Sequence, residues 1–243
     1  MTTSSRTTPT PRVAYVSGGS RGLGHALSTE LVRRGWHVVI DGRDAGRLAA
    51  AAAAMPEPAS VSAIPGDVAD PDHRGRIAAA VAAAGGLDLV VNNASVLGPS
   101  PQPRLAEYPL AALAAVYAVN TFAPVALLQL LLPHLAERQG RVINVSSDAA
   151  TEPYEGWGGY GSSKAALDHI TAILGVEHPG LRVYAFDPGD MRTDLQQQAF
   201  PGEDISDRPT AESVVPSLVR LVEGELPSGR YTVGELANSA TSP

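Results

Sequence analysis

The chain has 243 residues, 44% hydrophobic and 5% aromatic, enough for one globular domain with a sizeable core. Its net charge of −7, from 18 Lys and Arg against 25 Asp and Glu, excludes the basic footprint of a nucleic-acid binder. It has no cysteine, which excludes disulfides and thiolate chemistry, and no unbroken apolar run nears the roughly 18 residues of a membrane span.

Strand-like and helix-like segments alternate from end to end. Residues 1–11 are rich in Thr, Ser and Pro, lack the apolar core of a signal peptide, and read as a disordered arm. Strands are expected near 12–17, 36–41, 60–66, 87–92, 140–146, 181–187 and 229–234. Helices are expected near 22–34, 44–54, 72–84, 105–132, 160–176 and 211–223. Continuous apolar runs such as Leu89-Val90-Val91 fit strands covered on both faces. The pattern predicts a single doubly wound Rossmann-type α/β domain over residues 12–237, with a parallel sheet of about seven strands. Residues 194–208 would form a short substrate lobe, and 238–243 a tail.

The first motif is Gly18-Gly19-Ser20-Arg21-Gly22-Leu23-Gly24, after the apolar run Val13-Ala14-Tyr15-Val16. A strand, a glycine-rich turn and a helix put free backbone N–H groups where a pyrophosphate can sit. The same residues match the G-x-S-x-G nucleophile elbow of hydrolases. Only one strand precedes Ser20, however, so an upstream oxyanion loop is missing, and no His stands out as a base. The six histidines show no metal-ligand spacing, and no metal site is expected.

The second signal is Tyr160-Gly161-Ser162-Ser163-Lys164, with Ser147 upstream. On a helix the phenol and the ammonium lie side by side, and a nearby cation favours the phenolate. Such a tyrosine can exchange a proton near neutral pH.

Together these motifs resemble the short-chain dehydrogenase/reductase family over nearly the whole chain. Further matches are Asp67-Val68, Asn92-Asn93-Ala94, Asn120 and Pro188-Gly189-Asp190-Met191-Arg192-Thr193. The resemblance implies that Asp67 meets the adenine amino group, with Val68 beside the ring. Asn93 would lie along the nicotinamide ribose, where Ser95 replaces a usual glycine. Pro188, Gly189, Met191 and Thr193 would cup the carboxamide. Asn120 would hold a water linking Lys164 to a proton relay, Ser147 would hydrogen-bond the reacting oxygen, Tyr160 would be the acid, and Lys164 would serve both Tyr160 and the ribose.

Cofactor choice turns on Val38-Val39-Ile40-Asp41-Gly42-Arg43. The family alignment puts the NAD-selecting acid position on Gly42, and alternation turns Asp41 to the other face. The alternative, Asp41 as that acid, needs a one-residue slip. Arg43 and Arg21 would suit a 2′-phosphate, so the expected cofactor is NADP(H).

The resemblance thus implies an NADP(H)-dependent oxidoreductase that interconverts a ketone or aldehyde and an alcohol, and the lack of a signal-peptide core or an apolar span points to the cytoplasm. Epimerisation, alkene reduction and a dinucleotide sensor without turnover are the alternatives. The pocket is expected to include Asp148, Glu152, Tyr154, Glu155, Trp157 and the stretch 196–200. A homodimer through 105–132 and 160–176 is favoured over a tetramer, because the C-terminus lacks the family's Asp-Gly-Gly ending.

Overall fold

The computed structural model describes residues 11–238. The expected arm, apart from Pro11, and the tail beyond Asn238 lie outside the described residues.

Seven strands, β1 (Val13–Val16), β2 (His37–Gly42), β3 (Val61–Pro65), β4 (Leu89–Asn92), β5 (Arg141–Val145), β6 (Arg182–Asp187) and β7 (Gly229–Thr232), form one sheet. Every pairing is parallel, and the order is β3-β2-β1-β4-β5-β6-β7. The chain first works outward from β1 to β3, then returns to place β4 on the other side of β1. That reversal opens a crevice at the carboxyl ends of β1 and β4, where open α/β sheets bind ligands.

Alternation along each strand builds two cores. Ala14, Val16, Val38 and Ile40 pack under α1 (Gly22–Arg33), α2 (Ala45–Ala53) and α8 (Ala211–Glu223). Val13, Tyr15, Val39 and Val90 pack under α3 (Pro71–Ala83), α5 (Ala123–Glu137) and α6 (Gly158–Glu177). With both faces covered, the strands have no polar side to show in their sequence.

The long helix expected over 105–132 is broken in a useful place. A 3₁₀ turn (Leu105–Glu107) precedes α4 (Leu110–Tyr117), and a π turn over Ala118–Phe122 joins α4 to α5. The extra residue in a π turn puts Asn120 on the buried side, and such turns recur at functional sites. Pro133 does not stop α5, which continues to Glu137. The stretch Leu110–Glu137 is the one helical run among the described residues that could cross a membrane by length and composition. Its apolar sequence is interrupted by Asn120, Thr121 and Gln129. In the fold, Leu127, Leu128, Leu131 and Leu135 face the sheet.

The strand expected over 229–234 ends at Thr232, where α9 (Val233–Asn238) begins. Thr232 Oγ1 accepts from the N–H of Glu235, whose carboxylate accepts from the N–H of Thr232 at 2.7 Å. This reciprocal T-x-x-E cap starts a helix where the apolar pattern read as strand. A short helix, α7 (Asp194–Ala199), lies in the stretch assigned to the substrate lobe.

Candidate active site

The glycine loop joins β1 to α1, and its glycines answer different demands. Gly18 and Gly22 have φ of +68° and +55°, the left-handed region. At Gly24 a Cβ would fall 2.5 Å from Asn93 Nδ2 and 2.6 Å from the carbonyl of Gly18. Arg21 caps α1 without a side-chain hydrogen bond, so the first amides of the helix stay open to an anion. Asn93 holds the loop in place, its Nδ2 donating to the Ser17 carbonyl at 2.9 Å.

Asp41 lines the cleft, but its carboxylate is engaged within the protein. Its carboxylate accepts from the N–H of Gly18 at 2.7 Å and from the Tyr15 hydroxyl at 2.9 Å, and it lies 3.1 Å from His73 Nε2. The group is buried beneath the loop that it braces. Next to it, a Cβ at Gly42 would lie 3.2 Å from Ser20 Oγ. Arg43 is exposed on the rim. Arg21 reaches across the cleft to pair with Asp194 on α7, whose carboxylate also lies 4.0 Å from Arg47. Asp67 accepts from the N–H of Ala69 at 2.9 Å and lines the cleft with Val68 and Leu23.

The second half of the site stands on α6. Tyr160 and Lys164 occupy successive turns, with exposures of 5% and 2%. Lys164 Nζ donates to the carbonyl of Val145 at 2.7 Å and sits 5.6 Å from the centroid of the Tyr160 ring. Two residues past Val145, Ser147 caps a 3₁₀ turn, accepting from the N–H of Ala149 and donating to Asp148 Oδ1 at 2.9 Å.

Burial pushes the Tyr160 phenol up to about 12; hydrogen bonds with Ser147 and Ser95 pull it down, and the charges of Asp148 and Asp187 push it further up. Burial lowers Lys164 to about 8, with Asp168 pulling it up. Desolvation thus dominates where the sequence suggested that the ammonium would bring the phenol toward neutrality. At neutral pH the phenol keeps its proton and the amine its charge.

Asn120 is fully buried and has its side chain saturated. Oδ1 accepts from the N–H of Val96 at 2.9 Å and from Ser95 Oγ at 3.2 Å, while Nδ2 donates to the Val96 carbonyl and to Ser163 Oγ. Two acceptor and two donor sites are the whole capacity of an amide. A water held here would meet the main chain of the π turn instead. Beyond β6, the N–H of Gly189 donates to Asp187 Oδ1 at 3.0 Å, and Gly189 takes φ +66°. Pro188, Gly189, Met191 and Thr193 complete the wall.

The cleft so enclosed measures about 890 Å³. Of the expected pocket residues, Asp148, Trp157, Gln196, Gln198 and Ala199 line it. Tyr154 and Phe200 stand behind Trp157 as ring contacts, and Glu155 pairs with exposed Arg104. Glu152 and Gln197 do not line it. Among the described residues, no group of three or more His, Cys, Asp or Glu could hold a metal.

The model of the short-chain dehydrogenase family matches residues 12–204. The chain belongs to the short-chain dehydrogenase family. It is 36% identical to 1-deoxy-11-beta-hydroxypentalenate dehydrogenase of Streptomyces arenae over 76% of this chain and 68% of that protein. It is 35% identical to human dehydrogenase/reductase SDR family member 2 over 80% of this chain and 70% of that one. Across such curated relatives, the chain spans between 46% and 74% of their length. A short-chain dehydrogenase of Shigella flexneri complexed with NADP superposes with a TM-score of 0.86 at 25% identity, over 92% of this chain and 97% of that one.

This short-chain dehydrogenase therefore comes from an oxidoreductase family that uses a nicotinamide dinucleotide, and the elbow reading of Ser20 is set aside. Its glycine loop and open α1 terminus fit the pyrophosphate of such a group. Two features escaped the motifs. Asp41 with Tyr15 and His73, and Arg230, act through side chains far apart in sequence. Lys164, which the motif did find, is also the only lysine in the chain, all its other basic residues being Arg or His.

Gly24→Ala is expected to weaken binding of the dinucleotide at least about tenfold, because the new Cβ displaces Asn93 and the Gly18 carbonyl. Fluorescence titration with NADPH checks this, and wild-type affinity in the folded variant would contradict it.

Proposed function

We propose that this protein is an NADP(H)-dependent oxidoreductase that interconverts a ketone or aldehyde and its alcohol. The observation that carries the reading is the convergence of Ser147, Tyr160 and Lys164 on one cleft with the glycine loop. When bound there, the nicotinamide supplies or accepts the hydride. The chain's own residues manage the proton. Tyr160 gives its phenolic proton to the substrate oxygen as charge develops on it, and Ser147 Oγ turns from Asp148 to donate to the same oxygen. Lys164 stabilises the phenolate left behind, and solvent returns the proton to it through a water that would be held by the main chain of the π turn at Asn120. In oxidation the steps reverse. Trp157, backed by the rings of Tyr154 and Phe200, gives the cleft an apolar side wall.

Lys164 loses its charge as pH rises through about 8, so reduction by this route declines above that pH. Tyr160→Phe is expected to lower kcat by about 10²-fold or more while NADPH still binds. Residual turnover beyond a few per cent of wild type in an NADPH absorbance assay with a carbonyl panel would remove Tyr160 from the role of acid.

The preference for NADPH rests on Arg43 at the rim, on the buried position of Asp41 and on the NADP-bound family neighbour. A contact between a guanidinium and phosphate, at about 1.5–3 kcal/mol, favours NADPH about tenfold or more. Titrations with NADPH and NADH at two salt concentrations test this, and equal affinities would refute it. Arg43→Ala should weaken NADPH binding while hardly changing that of NADH.

A homodimer completes the reading. Leu110, Phe122, Ile173 and Val176 stand exposed on α4, the π turn and α6, with Val176 at 82%. Light scattering should give twice the chain mass, and Val176→Glu should shift the mass toward one chain; a monomeric wild type would rule the dimer out.

A further inference from the structure

Arg230, on β7, lies behind the cleft wall, and its guanidinium spends its donors on three separate segments. Nε donates to Asp168 Oδ2 at 3.0 Å, and Nη2 to Asp187 Oδ2 at 2.9 Å and to the main-chain oxygen of Ser147 at 3.1 Å. Each segment carries part of the reaction site. Ser147 is one part itself. Asp168 sits one turn beyond Lys164 on α6. The other oxygen of Asp187 fixes the Pro188–Gly189 turn through the N–H of Gly189.

The two carboxylates are well shielded, with side-chain exposures of 15% and 8%. A shielded charge without a counter-charge acts strongly on its neighbours. Arg230 is placed to cancel both, and its planar fork is the group suited to three acceptors at once.

We propose that Arg230 is a positioning residue that braces Ser147, α6 and the Pro188–Gly189 turn and, by neutralising Asp168 beside Lys164, sets how firmly Lys164 holds its proton. The inference rests on the carbonyl-reducing reading of the site. The charged or titratable groups around the Tyr160–Lys164 pair are Asp168 on α6, Asp148 after β5, Asp187 at the end of β6 and Arg230 on β7; the π turn presents the neutral Asn120.

Because Lys164 is the only lysine, protein grown on labelled lysine (¹³Cε, ¹⁵Nζ) gives one side-chain signal whose NMR titration reads this group directly. The wild-type midpoint should lie near about 8. Arg230→Met leaves both carboxylates uncancelled and should raise the midpoint by about half a pH unit or more. It should also lower kcat at least about tenfold, with the Kd for NADPH changed less than about threefold. Arg230→Lys keeps the charge but not the fork, so the midpoint should stay near wild type while kcat still falls.

An unchanged Lys164 midpoint in a folded Met variant overturns the proposal. So does wild-type kcat in the Lys variant, which also decides the matter if the Met variant fails to fold. A wild-type protein that oxidises no NADPH with any carbonyl compound refutes the reading of the site instead, and the lysine titration still tests the role of Arg230.

Discussion

The bond from Lys164 Nζ to the Val145 carbonyl fixes the geometry on which the reaction site depends. Taking an ammonium out of water is costly unless it finds acceptors and counter-charge. Lys164 finds the first at the carboxyl end of β5 and part of the second in Asp168 one turn along its own helix, a carboxylate it shares with Arg230. Tying the helix to that strand end sets the height of α6 above the sheet, so Tyr160, one turn earlier, has little freedom left. Ser147 follows Val145 by two residues and is carried to the same place. One buried charge thus brings together three side chains from two elements.

The glycine loop is held by a separate buried polar group. Tyr15 and Asp41 occupy strand positions that are ordinarily apolar, and His73 meets them from α3. A net hydrogen bond contributes only about 0.5–1.5 kcal/mol, and an unpartnered buried carboxylate costs more than that. The arrangement is therefore better understood as a means of fixing one loop conformation than as a source of stability. The Gly18 N–H points down to Asp41, while the later amides at the start of α1 stay free. Loop support and anion binding draw on different donors and do not compete.

What the sequence made legible was whatever depends on local chemistry. Strand ends fell within a residue or two because apolar runs stop where the chain turns, and Tyr160 and Lys164 are adjacent on any helix. The failures had physical causes. The π turn at Asn120 leaves no mark in a run of Ala, Val and Leu, since one inserted residue barely alters an almost wholly apolar pattern. The strand expected over 229–234 ignored the reciprocal cap of Thr232 and Glu235. Arg21 reads as free for phosphate in the sequence because its partner, Asp194, is far away along the chain. Burial, which dominates the protonation of Tyr160, is a property of the packed molecule and is not carried by the Y-x-x-x-K spacing.

Three arginines stand near the glycine loop although the chain is acidic as a whole. A net charge of −7 opposes an anionic dinucleotide at long range, and the cleft must offset this locally. Arg21 and Arg43 line the cleft where the glycine loop meets α2, with Arg47 close by, although Asp67 and Asp194 line it as well. The pair of Arg21 and Asp194 bridges two parts of the cleft lining, with side chains 47% and 60% exposed. An ion pair so open to solvent is worth about 0–1 kcal/mol, less than a charged hydrogen bond to phosphate. Its release therefore costs little when a phosphate arrives, and Arg21 can hold α7 over the loop without closing the cleft to a dinucleotide.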